Sequence, residues 1–131
     1  MSNPLIDTLI TELWEQEVIV IRRVFVRLTG SLEAAILLDK LLRLTLKNSY
    51  PTVEDVFMDG WPRWIARSDQ EWAEELMLTQ YAVRKARATL QKMGLIETAI
   101  HKCDGVPKVH YCLLQNTLQL QLVDFMNSQG A

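Results

Sequence analysis

The sequence predicts a mainly α-helical fold with a small β-sheet. Three observations carry this. Apolar residues recur at helical spacing in several separate stretches. Small polar residues that cap helices stand directly in front of most of them. Only the runs at 95–102 and 109–114 pair an apolar/polar alternation with a turn between them, which is the pattern of a hairpin.

Taken in order, "PLIDTLITELWEQE" repeats Leu5, Leu9, Leu13 and Ile6, Ile10, Trp14, a helical stripe with acids opposite. The β-branched "VIVI" (18–21) reads as a strand or as the lead into "RRVFVRLTG". Gly30 punctuates, and Ser31 caps a long helix over 32–47. "KNSYPTVEDVFMDG" (47–60) has turn chemistry and no period, so it reads as a long loop. "WPRWIAR" (61–67) reads as a short strand that Pro62 starts.

Ser68 with Glu71 three residues on forms a capping box. It opens a short helix whose Trp72, Ala73 and Leu76 face inward. Only "MLT" intervenes before a second helix over 80–93, which Thr79 caps and Gly94 closes. "LIETAIHK" and "VHYCLL" then flank "CDGVPK" as two strands around a turn. Pairing across it puts Ile96, Thr98, Ile100, Val109, Tyr111 and Leu113 on one face. Glu97, Ala99, His101, His110 and Cys112 fall on the other, polar face. In "NTLQLQLVDFMNSQ", Asn116 caps a helix with Leu118, Leu122, Phe125 and Met126 on one side, although "LQLQL" keeps a strand open.

A chain of 131 residues, 49% hydrophobic, suggests one domain with a core that needs no covalent staples. Its two cysteines, Cys103 and Cys112, give no disulfide framework and fit a reducing cytosol. No cationic run precedes an apolar stretch at the N-terminus, so no signal peptide is expected. The longest apolar segment, "SLEAAILLDKLLRLTL", carries too many charges to span a bilayer. Net charge is −2 but unevenly spread: −5 over residues 1–78, +4 over 79–112 and −1 over 113–131. Positive charge gathered in one place points to a local anionic partner.

Most of it lies on the 80–93 helix. Val83, Ala86, Leu90 and Met93 form its core stripe. The opposite face centres on Ala88, with Tyr81, Arg84, Lys85 and Lys92 around it. Such a face can approach a major groove closely. Ala88 admits the backbone, Arg84 and Lys85 reach phosphates or a guanine edge, and Gln80 and Tyr81 sit where they can touch bases. Arg87 lies at the core edge, anchored by Glu74 or Glu75 or else on a phosphate. Lys102 and Lys108 bracket the hairpin tip. Helix, tight turn, second helix and hairpin follow in the order of a winged helix-turn-helix. Residues 18–115 then form the winged-helix unit, with added helices in 1–17 and 116–131.

"LTGSLEAAILLDKLL", "GWPRWIARSDQEWAEEL", "TQYAVRKARATLQKMGLIET" and "GVPKVHYCL" together resemble the winged-helix N-terminal domains of phage and plasmid replication proteins, the replisome-organiser and DnaD-like groups. The resemblance runs over about residues 18–115. It implies binding of double-stranded DNA through Tyr81, Arg84 and Lys85, with wing contacts from Lys102 and Lys108. Proteins of this kind continue into a further domain for a helicase or primosome partner, where this sequence has one more helix.

Other constellations are weaker. His101, Cys103, His110 and Cys112 are all ligand types, but with His101 opposite His110 a regular hairpin sends the two cysteines toward opposite ends, so no metal is expected. Arg22, Arg23 and Arg27 read as a solvated face or as partners of Glu15 and Glu17, the alternative being a phosphate contact beside the groove. The tryptophans Trp14, Trp61, Trp64 and Trp72 read as core rather than as stacking platforms. No phosphate-cradling loop, H-E-x-x-H or nucleophile elbow occurs, so neither catalysis nor a cofactor is expected. The terminal helices can pack on their own domain or pair between copies, and a homodimer is expected. The rival to DNA binding is a winged-helix module that docks a protein partner through those helices or the acidic 47–60 loop.

Overall fold

The computed structural model describes residues 3–16, 18–47, 64–103 and 105–130. The expected loop beyond Lys47 and the start of the expected strand, Trp61 included, lie outside the described residues.

Helix α1 spans Pro4–Glu15, capped by Asn3, whose side chain accepts from the Leu5 amide at 2.9 Å. The "VIVI" run is an extended lead rather than a strand. It delivers the chain into α2 (Arg23–Thr29), which Gly30 ends in the left-handed conformation at φ 69°. That backbone is cheap only for glycine, which explains the break before the next helix. Ser31 then caps α3 (Leu32–Lys47), its hydroxyl accepting from the Ala34 amide at 3.2 Å.

Buried within α3 is Asp39. Its carboxylate accepts from the Arg22 backbone amide at 3.1 Å and from Arg43 Nε at 3.1 Å, with Arg22 Nε 3.4 Å away. A buried carboxylate needs such partners to be tolerated. Arg22 therefore pairs across the fold with Asp39, and Glu17 of the expected pairing lies outside the described residues.

Strand β1 is only Ile65–Ala66. Helix α4 (Asp69–Leu76) follows with both halves of the capping box formed, each hydrogen bond 3.0 Å long. Met77 closes α4 at φ 56°, so the tight turn is made by a non-glycine residue in left-handed backbone. Thr79 caps α5 (Gln80–Lys92) as its position predicts.

Strands β2 (Ile96–Cys103) and β3 (Val106–Leu113) are antiparallel and continue to a two-residue connection, with Cys103 opposite Val106. The expected six-residue turn is thus too long. Asp-Gly suits a two-residue hairpin loop, and Gly105 takes the positive φ of 81° such a turn uses. β1 pairs with β3 at Tyr111 and His110, the Arg67 amide donates onward to the Val109 carbonyl at 3.1 Å, and the strand order is β1-β3-β2. Among the described residues Pro107 lies where β3 pairs with β2 alone, which is where a missing N–H is tolerated.

The register also moves His101 opposite Lys108, with Ala99 opposite His110. The histidine rings meet edge to face as diagonal neighbours, 5.1 Å between centroids. The faces divide as the alternation requires, but the second is not simply polar and solvated: His110 and Cys112 are both buried. Burial pushes the Cys112 thiol up to about 11, with the Glu97 charge adding to it, so it stays protonated and inert.

The "LQLQL" run lies in a helix, α6 (Gln115–Gly130), which settles its ambiguity. Asn116 lies inside its first turn, two residues too late to cap it. Leu118 is buried, Leu122 and Phe125 are half-buried and Met126 is exposed.

The core joins α3, α4, α5 and the sheet through Leu37, Leu38, Leu41, Trp72, Val83, Leu90, Leu95 and Tyr111. Trp72 meets Tyr111 edge to face at 5.6 Å. This is a winged helix-turn-helix with additional N- and C-terminal helices, and Trp72 takes the core role its stripe predicts, whereas Trp64 is half-buried and Trp14, on a helix that packs on no core, is exposed rather than in the core as expected. Among the described residues no helix is long and apolar enough to cross a membrane.

Candidate nucleic-acid interface

α5 is seated by Val83, Ala86 and Leu90, all buried, with Met93 half-buried at its end. Three or four residues separate each from the next, so one stripe of the helix is consumed by the core. What remains faces outward. Gln80, Tyr81, Arg84, Lys85, Ala88 and Lys92 are all exposed, Tyr81 at 65%. Lys85 Nζ lies 5.8 Å from the Tyr81 ring centroid, which sets a cation over an aromatic face at the amino end of the helix.

The wing is tied to this helix. Gln91 Nε2 donates to Thr98 Oγ1 at 2.7 Å, so β2 runs out from the carboxyl half of α5. Lys102 is exposed near the hairpin end. On the other side, a cleft of about 490 Å³ separates Tyr81 and Lys85 from Ser31, Leu32 and Glu33 at the start of α3. The amino end of α3 thus borders the basic face. Its cap was legible in the sequence, but nothing local places it beside Lys85.

Two of the expected contacts have other work. Arg87 is only 17% exposed, and its Nη1 donates to Asp69 Oδ1 at 2.5 Å and to Tyr111 Oη at 2.7 Å. It locks α4, α5 and β3 together, which is the anchoring arrangement of the two that the sequence left open. The preceding helix does supply the anchor, but as Asp69 rather than Glu74 or Glu75. Glu75 is instead 3.3 Å from Lys40 and 3.2 Å from Arg67. Asp69 also lies 3.6 Å from Arg84 Nη1, which steers that half-exposed guanidinium without burying it.

Lys108 is the second. Its Nζ lies 2.8 Å from Glu71 Oε1, so the wing is clamped to the amino end of α4. The Lys108 ammonium, then the Ser68 backbone amide, hold the Glu71 carboxyl down at about 2. A carboxylate whose folded-state value is depressed contributes stability above its ordinary value of 4.5, and that contribution is lost as pH falls toward 2. Glu71→Gln keeps an acceptor for the Ser68 amide but removes the charge. Urea midpoints of wild type and E71Q should therefore differ at pH 7 and converge as pH falls below about 4. A gap that stays constant with pH would show that the charge on Glu71 contributes nothing.

Among the described residues no three His, Cys, Asp or Glu side chains gather as a metal site would require.

No protein-family model matches this chain, and no curated protein sequence matches it significantly. Two solved structures are loosely similar. One is the "N-Terminal domain of DNA binding protein", 20% identical, covering 79% of each chain with a TM-score of 0.48. The other is a "Possible transcriptional regulator from Methanosarcina mazei Go1", 16% identical, covering 71% of this chain and 82% of that one with a TM-score of 0.37.

Proposed function

We propose that this protein binds duplex DNA by laying the exposed face of α5 in the major groove while the β2–β3 wing follows the backbone. The observation that carries this is the outward face itself: Gln80, Tyr81, Arg84, Lys85, Ala88 and Lys92 lie together on one solvent-facing side of a helix whose other side is fully committed to the core. Arg84, Lys85, Lys92 and Lys102 supply the phosphate contacts, and Gln80 and Tyr81 reach base edges. Arg87 and Lys108 hold the helix and wing in place. The role is that of a cytoplasmic, non-catalytic accessory in replication initiation, of the replisome-organiser or DnaD-like kind, or of a transcription regulator. Binding as a homodimer would set two such faces on paired half-sites.

A salt titration of duplex affinity tests it. Each phosphate neutralised contributes a log–log slope of about −0.9, so the four exposed cations should give roughly −3 to −4. A slope near zero, or no binding at low salt, rejects the reading. That outcome would favour a winged-helix module for a protein partner, a reading that the wholly exposed apolar face of α1 supports.

A further inference from the structure

α2 turns two arginines away from the core. Phe25 is buried, and Val24, Val26 and Leu28 are half-buried against the core cluster. Arg23 and Arg27 are exposed. Four residues apart, they stack on one side of the helix, opposite Phe25.

This pair differs from the other arginines. Arg22 and Arg43 meet Asp39, Arg67 meets Glu75, and Arg84 and Arg87 meet Asp69. Among the described residues Arg23 and Arg27 form no ion pair, with Glu15 or with any other acid. Lys85, Lys92 and Lys102 of the proposed DNA face share that condition. The placement also works against α2 itself. Like charges at i and i+4 repel. Arg27 gains from the helix dipole in the last turn, but Arg23 stands in the first turn, where the dipole is already positive. Two cations kept where they weaken a helix of seven residues point to an anion supplied from outside.

Position says which anion. α2 ends at Gly30, three residues after Arg27 and about 5 Å farther along the helix axis. Gly30 lines the cleft that faces Tyr81 and Lys85. The α2 arginines therefore continue the basic face of α5 across the start of α3. Glu33 is the acid on that path, and its carboxylate accepts from the Ser31 hydroxyl at 3.2 Å.

We propose that Arg23 and Arg27 contact phosphates of the same duplex, flanking those met by α5, so that α2 is a third DNA-contacting element beside α5 and the wing. This rests on the duplex-binding reading above and extends its surface. Each DNA strand carries a phosphate about every 3.4 Å of rise, so a surface one cleft wider meets phosphates beyond those that α5 covers. The contacts are to phosphate and carry no sequence information, because α2 stands beside the groove and not in it. An acidic protein surface would satisfy the same charges, but nothing ties such a partner to α5, whereas a duplex on α5 continues past this end of α3.

Fluorescence anisotropy of the full chain with a labelled duplex, read over a salt series, tests the contact. Arg23→Ala with Arg27→Ala should reduce the log–log slope by about two and weaken binding at physiological salt by roughly ten- to thirtyfold. Arg23→Lys with Arg27→Lys should keep the wild-type slope, since neutralising a phosphate needs the charge and not the guanidinium fork. Lys40→Ala removes a cation from the separate groove beside Met77 and should leave the slope unchanged. The alanine pair should unfold at a urea midpoint no lower than that of wild type, because it relieves repulsion and alanine is the better helix former. An alanine pair with the wild-type slope overturns the α2 contact and leaves duplex binding standing on α5. A Lys40 variant whose slope falls by about one also overturns it, since net charge alone would then account for the change. No salt-dependent binding by wild type rejects the duplex reading, and the α2 contact with it.

Discussion

Replacing Arg84 and Lys85 together with alanine should weaken duplex DNA binding by roughly ten- to thirtyfold at physiological salt and reduce the log–log salt slope by about two. Both side chains lie on the exposed face of α5, and alanine is the best helix former, so the fold should be left standing. Arg84 has one partial tie, the 3.6 Å approach to Asp69. Its loss leaves Asp69 still bound by Arg87, so no buried charge is stranded. Fluorescence anisotropy with a labelled duplex at several salt concentrations gives both numbers from one series. An unchanged slope would mean that α5 does not meet phosphate, and the proposed function would fall with it.

Arg87→Ala should do the opposite. It should destabilise the fold by about 3 kcal/mol and leave the affinity of the remaining folded protein within about threefold of wild type. The guanidinium is largely sealed between α4, α5 and β3, and its removal leaves the Asp69 carboxylate and the buried Tyr111 hydroxyl without their donor. The same coupling shows in acid–base terms. Burial raises the Tyr111 phenol, against a lowering by Arg87, and hydrogen bonds to Asp69 and Tyr111 raise Arg87 against the desolvation that lowers it. Chemical denaturation measures the first quantity and anisotropy below the transition measures the second. A large loss of affinity with unchanged stability would return Arg87 to the DNA interface.

These two variants separate what three neighbouring cations do, and the difference between them was only half legible beforehand. The helical stripe of α5 places Arg84 and Lys85 opposite the core and Arg87 at its edge, because a period of 3.6 residues is a local property. Which carboxylate meets Arg87 depends on how α4 rotates against α5. That rotation is set by the packing of Trp72, Leu76, Val83 and Leu90, and it brings Asp69 forward while Glu75 turns toward Lys40 and Arg67. Lys108 is a similar case. Its place beside the hairpin tip suggested a backbone contact, yet strands that continue to a two-residue turn carry the tip farther out and bring Lys108 back to Glu71.

The helices over 4–15, 32–47, 69–76 and 80–92, the hairpin, the capping box at Ser68, the cap at Thr79 and the exposed cationic side of α5 followed from the order of residues alone, whereas the helix Arg23–Thr29 and the choice between helix and strand for the LQLQL run did not. Each of the former depends on neighbours within a few positions, where backbone geometry leaves little choice. The partners of Arg87, Lys108 and Asp39, the burial of His110 and Cys112, and the uncovered face of α1 were decided only by the assembled fold. They arise from contacts between segments far apart in the chain, whose relative rotation and register are fixed by packing the whole core at once.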